Sequence, residues 1–132
     1  MKKVRIIIEK SADYFDAYSD NCDGIYGVGE TAETAKSKAL KGFERFVKSR
    51  PKQQLPEILQ GEYEIIFRYD MHSFLNYYNH LFSNPTLERL TGINQKLLHH
   101  YASGLKKPRE VQRKKIENAL HQLGKELMAV EL

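Results

Sequence analysis

The sequence has almost no cysteine and no long apolar run, and each shortage excludes a class of protein. Cys22 is the only cysteine, so an intrachain disulfide is impossible and no CxxC pair is present to hold structural zinc. The apolar run Ile6 to Ile8 meets Glu9 and Lys10 at once, which makes it too short for a signal peptide or a membrane-spanning helix. We therefore expect a cytoplasmic globular protein with no membrane partner.

The charge of the chain is unevenly distributed. Its 132 residues, 41% of them hydrophobic, carry a net charge of +4, and a chain of this size can bury one modest core or two small ones. Up to Asp70, 12 Lys and Arg balance 12 Asp and Glu, whereas residues 71–132 carry 9 against 5 and all five histidines. This asymmetry predicts a neutral module followed by a basic module that meets a polyanion. The alternative is a basic face that is only solvated.

The first half alternates in the manner of strands. The runs "KKVRIIIEK", "DYFDAYSD" and "GIYGVG" are rich in β-branched and aromatic residues and predict three strands in a meander. An amphipathic helix follows in "TAETAKSKALKGFERFVKSR", before Pro51. In "EYEIIFRYD", Tyr63, Ile65, Phe67 and Tyr69 share one face, which predicts a fourth strand. We therefore predict a ββ-β-α-β domain over residues 1–70.

The second half changes to a helical period. "HSFLNYYNHLF" has helical spacing, and "NPTLERLTG" predicts a helix with Asn84 as its N-cap and Pro85 at its first position. "NQKLLHHYAS" predicts a third helix, capped by Asn94 and closed by Gly104, and a long fourth helix is predicted to start at Pro108. Residues 71–132 are therefore predicted to form an all-α domain, and the fold class of the whole chain is α+β.

Two short helices joined through "TGIN" have the sequence form of a helix-turn-helix, whose second helix lies in the DNA major groove. At about 100° per residue, Leu97, Leu98 and Tyr101 share one side of that helix. The opposite side carries hydrogen-bonding groups, and the residues after Gly104 supply cations for phosphates. The predicted DNA-binding residues are Gln95, Lys96, His99, His100, Ser103, Lys106, Lys107 and Arg109.

The adjacent histidines of this helix do not predict a metal site. His99 and His100 are separated by about 100° around the helix, whereas ligands on one face require i, i+3 or i, i+4 spacing. We predict no metal site and no cofactor. The alternative to a role in DNA binding is two solvent-facing imidazoles with no role.

The segment "LERLTGINQKLLHHYASGLKKP" resembles the Cro/repressor-type helix-turn-helix family. The family pattern is matched by the residues Gly92, Ile93, Asn94, Leu98, Tyr101, Gly104 and Pro108. One residue departs from it, because the family usually has alanine where this chain has Glu88. The resemblance implies a DNA-binding domain.

The first half, "VRIIIEK...DYFDAYSDNCDGIYGVGETAETAKSKA", resembles the HicB-like antitoxin family in the order of its elements and in the "GET" before a helix opened by threonine. The resemblance covers about residues 3–48. It implies a partial RNase-H-like domain that blocks a small HicA-type mRNA-cleaving toxin. It also implies that the second domain represses the protein's own operon.

An acidic group in the first half has several interpretations. The residues concerned are Asp13, Asp16, Asp20 and Asp23. They are candidates for contact with a basic toxin. A two-metal nuclease would need such carboxylates, but aspartates beside turns ordinarily bond their own backbone, so we predict no enzyme.

The main alternative function is a stand-alone transcriptional regulator whose first domain senses a ligand or dimerises. Either function predicts a homodimer or a higher homo-oligomer, because one helix-turn-helix reads only a half-site. The candidate dimer surfaces are an edge strand of the first domain and the stripe Ile116, Leu120, Leu123 and Leu127 on the last helix.

Overall fold

A computed structural model describes residues 1–132, which divide into two compact units, Met1–Tyr77 and Tyr78–Leu132. The strands are β1 (Lys2–Lys10), β2 (Phe15–Ser19), β3 (Tyr26–Gly29) and β4 (Tyr63–Tyr69). The helices are α1 (Ala32–Lys48), α2 (Met71–Tyr78), α3 (Asn84–Thr91), α4 (Gln95–Ser103) and α5 (Glu110–Met128). The protein is thus mixed α and β, in broad agreement with the α+β class. The division falls after Tyr77, whereas the sequence placed the boundary after Asp70.

The first unit is built on a four-stranded sheet in the order β3-β2-β1-β4. β1 pairs antiparallel with β2, and β2 with β3, so the predicted meander is confirmed. β4 pairs parallel with β1, because α1 and two short 3-10 turns, Lys52–Gln54 and Glu57–Leu59, carry the chain back to the starting edge. The β3-α1-β4 crossover therefore completes the mixed sheet by adding β4 beside β1.

One face of the sheet is covered by α1. Alternation along β1 buries Val4, Ile6 and Ile8 completely, and the inner face of α1 contributes small residues such as Ala35 and Ala39. At Gly27 of β3 a Cβ atom would lie 2.5 Å from both the Ala35 carbonyl oxygen and the Ala39 nitrogen. Only glycine fits there, and its absence of a side chain sets how closely the helix approaches the sheet.

Polar and aromatic contacts fasten α2 to the sheet. Asp70 accepts a hydrogen bond from the Lys10 backbone N–H at 3.0 Å and another from the Ser73 N–H at 2.7 Å, so one carboxylate joins the end of β1 to the first turn of α2. The Lys36 ammonium on α1 lies 4.1 Å from the centroid of the Phe67 ring and 4.5 Å from that of Tyr77. These cation–π contacts connect α1, β4 and α2.

The second unit is all helical, and each of α3, α4 and α5 contributes one or two buried apolar side chains to a small core. The buried apolar residues are Leu87, Ile93, Leu98, Tyr101 and Ile116. They come from α3, the turn after it, α4 and the first half of α5. Because the last of them is Ile116, the second half of α5 adds no fully buried side chain.

Three helix limits differ from those expected. The expected helix through Phe82 ends at Tyr78, where a turn begins with the Leu81 N–H bonding the Tyr78 carbonyl. The N-cap of α3 is Ser83, not Asn84, because the Ser83 hydroxyl accepts the Thr86 N–H at 3.3 Å.

The start of the last helix also differs. α5 begins at Glu110, since Arg109 keeps an extended backbone with ψ at 161° and separates Pro108 from the first helical residue. Pro108 therefore lies in the connection before the helix. No helix of the protein has the length and apolarity needed to cross a membrane.

Candidate functional site

The turn between α3 and α4 is held by backbone and side-chain hydrogen bonds. Gly92 has a φ of 76°, a left-handed conformation suited to glycine, and its N–H donates to the Glu88 carbonyl at 2.7 Å. Buried Thr91 donates its hydroxyl to the Leu87 carbonyl at 2.7 Å and accepts the Ile93 N–H at 3.1 Å. The turn is therefore fixed at both ends, which orients α4 relative to α3.

Glu88 adds a bond between the two helices. Its Oε2 atom accepts the backbone N–H of Gln95, the first residue of α4, at 2.7 Å. The N-cap Asn94 accepts the next donor, the Lys96 N–H, also at 2.7 Å. Two of the unpaired N–H groups that begin a helix are thus satisfied by side chains. The residue that departs from the family pattern serves as a second cap, which the sequence did not predict.

The solvent face of α4 presents polar side chains. Leu98 and Tyr101 are buried, as predicted, while Gln95, Lys96, His99 and Ser103 are exposed. The exposed set lies on the side of the helix opposite the core and begins at its N-terminal turn. This face can donate and accept hydrogen bonds along the length of α4.

His100 lies apart from that face. It is half-buried, and its Nδ1 atom is buried with no hydrogen-bond partner, so this edge of the ring is closed to a ligand. The rings of His99 and His100 are 6.4 Å apart and inclined by 52°. His100 is therefore the least accessible of the DNA-binding residues proposed from the sequence.

Exposed cations follow α4. Lys106, Lys107 and Arg109 are exposed and lie in the connection between Gly104 and α5. The protein has three ion pairs, and the only one in the second unit is the long Lys114–Glu117 contact of 3.9 Å. The charges of the connection are thus uncompensated within the protein and available to an anion.

Further basic groups lie near the turn. Arg113 on α5 and Arg89 on α3 are exposed. The Lys115 ammonium lies 4.0 Å from the position that a Cβ atom would take at Gly92, so α5 carries a cation to the α3–α4 turn. The basic surface of this unit therefore involves all three of its helices. Arg89 was not among the DNA-binding residues predicted from the sequence, because only its positive charge could have indicated such a role.

The four aspartates of the first unit do not form one cluster. Asp13 lies in the β1–β2 turn, and Asp20 and Asp23 follow β2 at its other end, because successive turns of a meander lie at opposite ends of the strands. Asp16 accepts the Ser11 hydroxyl, and Asp20 pairs with Arg5 at 3.1 Å. The sequence predicted a single acidic hairpin, but the aspartates form two separate groups. In each group one carboxylate is already bonded within the protein, Asp16 to Ser11 and Asp20 to Arg5.

No group of three or more His, Cys, Asp or Glu side chains lies close enough to hold a metal ion. No family model matches the chain, and no curated protein or solved structure matches it.

Proposed function

We propose that the protein is a DNA-binding transcriptional regulator in which α3, its turn and α4 form a helix-turn-helix and α4 enters the major groove. The observation that carries the proposal is the polar exposed face of α4 together with the uncompensated cations of residues 106–109, which follow the C-terminal end of that helix. Neither feature contributes to the core of the unit. Together they combine base-reading groups with phosphate-binding groups.

Base reading is assigned to the first turn of α4. Gln95 can form two hydrogen bonds with adenine, and Lys96 can donate to guanine. The recognition helix of this motif contacts bases through its N-terminal residues. The caps from Glu88 and Asn94 hold this turn, since they bond the backbone N–H groups of Gln95 and Lys96. His99 and Ser103, farther along the same face, extend the surface toward the flanking bases or sugars.

Phosphate binding is assigned to Lys106, Lys107 and Arg109. Each phosphate contact releases counterions, so the logarithm of the affinity falls by about 0.9 for each contact per tenfold increase in salt. Such contacts position the protein and do not read sequence.

The experiment is fluorescence anisotropy with duplexes selected by the protein from a random-sequence library. Replacing Lys106 and Lys107 with alanine should weaken binding to all duplexes and reduce the salt slope by about two contacts. Replacing Gln95 with alanine should instead reduce discrimination between the selected and random duplexes. Lys125→Ala is the matched control, because it removes an exposed cation from the far half of α5. Salt-independent binding, or equal losses in the control, would refute the proposal.

We further propose that the regulator is an antitoxin of the HicB-like class. Support comes from the order of elements, β-β-β-α-β, with β4 parallel to β1 and α1 on one face of the sheet. The sequence resemblance implies a partial RNase-H-like domain before a DNA-binding domain, and this order of elements supports that proposal. The proposed partner is a small basic HicA-type toxin that cleaves mRNA, and the proposed target of repression is the protein's own operon.

Co-expression separates the antitoxin from a stand-alone regulator with a ligand-sensing or dimerising first domain. The full chain is expressed with each small reading frame that adjoins its gene, and growth is scored together with complex formation on a sizing column. A variant with Lys106 and Lys107 replaced by alanine should still rescue growth, because silencing a toxin protein does not require DNA. If no product of an adjoining reading frame is toxic, or if the chain neither binds the toxic product nor restores growth, the antitoxin proposal is refuted. The stand-alone regulator is then the proposed function.

A further inference from the structure

A surface pocket of about 350 Å³ lies in the first unit, lined by one side of α1 and by Tyr77 near the end of α2. From α1 it receives Glu33, Lys36, Ser37 and Leu40, which share a side of the helix because residues three, four and seven apart are neighbours on its surface. Small-molecule sites have volumes of about 300–1,000 Å³. The pocket is therefore large enough for a small organic molecule.

Lys36 gives this pocket a fixed positive charge. Its side chain is half-buried, and its ammonium lies 4.1 Å from the centroid of the Phe67 ring and 4.5 Å from that of Tyr77. The three ion pairs of the protein involve other residues, so no carboxylate neutralises this ammonium. Because the two rings already restrict its motion, Lys36 loses less conformational entropy on binding an anion than a free surface lysine does.

Glu33 and Ser37 add two polar groups to the same side of α1. Glu33 is exposed in the first turn of the helix and belongs to none of the three ion pairs. Ser37 is half-buried, and its hydroxyl makes no hydrogen bond within the protein. The pocket thus offers a ligand a cation, an anion and a hydroxyl, together with the apolar surface of Leu40 and the Tyr77 ring.

We propose that this pocket binds a free α-amino acid with an apolar side chain. Lys36 pairs with the carboxylate of the ligand, and Glu33 pairs with its ammonium. The Cβ atoms of residues three apart on a helix are about 5–6 Å from one another, so a ligand with both charges on one carbon atom reaches both side chains. The Ser37 hydroxyl donates to the carboxylate, while Leu40 and Tyr77 contact the apolar side chain of the ligand.

The charge balance of the pocket favours a zwitterion. Its lining carries two cations, Lys36 and Lys41, and two anions, Glu33 and Glu44. A ligand with a net charge of either sign would be attracted by one pair and repelled by the other, whereas a zwitterion matches both. Phosphorylated metabolites are disfavoured for the same reason, because their negative charge would face the two glutamates.

The proposed site lies outside the surface assigned to DNA. Neither α4 nor the cations of residues 106–109 line the pocket. The inference therefore goes beyond the proposed function and does not rest on it. A ligand bound here would also stabilise the first unit by mass action, because the pocket exists only in the folded state.

The test is isothermal titration calorimetry of the full chain without DNA. The probes are L-phenylalanine and L-leucine, with hydrocinnamate and phenethylamine as analogues of phenylalanine that lack the amino group and the carboxylate. At least one of the two amino acids should bind, and phenylalanine, if it is the one, should bind about tenfold more tightly than either analogue. The reason is that each analogue leaves one charged side chain of the pocket unpaired. For leucine, the corresponding analogues are isocaproate and isopentylamine.

Two variants assign the charges. Glu33→Gln changes an exposed side chain without changing its shape, and it should remove the preference for the amino acid over the analogue that lacks the amino group. Lys36→Met should weaken binding of the amino acid by about tenfold or more. Lys38→Met is the matched control, since it removes an exposed cation from the opposite side of α1 and should bind as wild type does.

Three results would overturn the inference. They are wild type that binds neither amino acid, an analogue that binds as tightly as its parent amino acid, and Glu33→Gln and Lys36→Met variants that both bind as the Lys38→Met control does. None of these results bears on DNA binding, which is measured with other residues and another ligand. Failure of the proposed function in the anisotropy experiment would likewise leave the amino-acid site standing.

Discussion

Glu88 and Gln95 are joined by a 2.7 Å hydrogen bond from the Gln95 backbone N–H to the Glu88 carboxylate. The bond links the last half of α3 to the first residue of α4, and it places a negative charge at the N-terminal end of the α4 dipole. Both effects stabilise the start of that helix. The family that this segment resembles usually has alanine at this position. The larger Glu88 side chain is accommodated here because it caps α4.

The first prediction concerns this cap. Glu88→Ala should destabilise the second unit by about 1 kcal/mol, because the charge-assisted bond and the favourable dipole interaction are both lost. The measurement is amide hydrogen exchange followed by mass spectrometry, which resolves the two units of the full chain. Peptides from α4 should lose protection, and peptides from the sheet should not.

Glu117→Ala is the control for that variant. Glu117 is also a helical glutamate of the second unit, but its only ion pair, with Lys114, is long at 3.9 Å and exposed, so its loss should change stability little. Equal loss of protection in both variants would mean that the Glu88 bond contributes nothing specific.

The second prediction concerns Thr91, the buried hydroxyl of the turn. Thr91→Val keeps the shape of the side chain but leaves the buried Ile93 N–H without its acceptor, so it should cost about 1–3 kcal/mol. Thr91→Ser keeps the hydroxyl and should cost less. Urea unfolding of both variants measures the difference. A valine variant as stable as the serine variant would contradict the assigned role.

The secondary structure that follows from hydrophobic periodicity was predicted from the sequence. The contacts that depend on the geometry of individual side chains were not. The strands, α1 and α4 follow from alternation and from the spacing of residues such as Leu98 and Tyr101. The pairing of β4 with β1 does not, because alternation says which face is buried and nothing about which strand is adjacent.

Caps were predictable only where one residue was suitable. Asn94 was identified correctly, but Ser83 and Asn84 are both good N-caps, and only the backbone angles decide between them. The Glu88 bond joins two helices and has no local sequence signal. His100 was predicted to bind DNA, yet its Nδ1 is buried. The angular position of a residue on a helix, at about 100° per residue, does not show how much of its ring the rest of the protein covers.

The third prediction compares two glycines of the first unit. Gly27→Ala should destabilise it by about 2 kcal/mol or more, since the new methyl group would lie 2.5 Å from backbone atoms of α1 that cannot move independently. Gly42→Ala should act oppositely and stabilise by about 0.5–1 kcal/mol, because Gly42 is inside α1 and the nearest atom to its added Cβ is 3.8 Å away. Thermal unfolding followed by circular dichroism measures both. Changes of the same sign would show that the helix–sheet distance is not set at Gly27.

The last prediction uses the single cysteine as a probe of the first unit. Cys22 is buried, and this burial, together with the charge of Asp23, raises the pKa of its thiol. Because the thiolate is the reactive species, alkylation by iodoacetamide at neutral pH should be much slower in the native protein than in urea.

The raised pKa also gives a direction for stability. The folded state favours the neutral thiol, so the contribution of Cys22 is complete below the pKa of the unfolded chain and is lost as the pH rises above it. Hydrogen bonding to Glu9 raises the pKa of Tyr18 and acts in the same direction. The free energy of unfolding of the first unit should therefore decrease at alkaline pH. Cys22→Ala should remove the part of that decrease that comes from ionisation of the thiol. Fast alkylation of the native protein, or an alkaline decline unchanged in Cys22→Ala, would show that the thiol is more accessible than its burial in the β2–β3 connection implies.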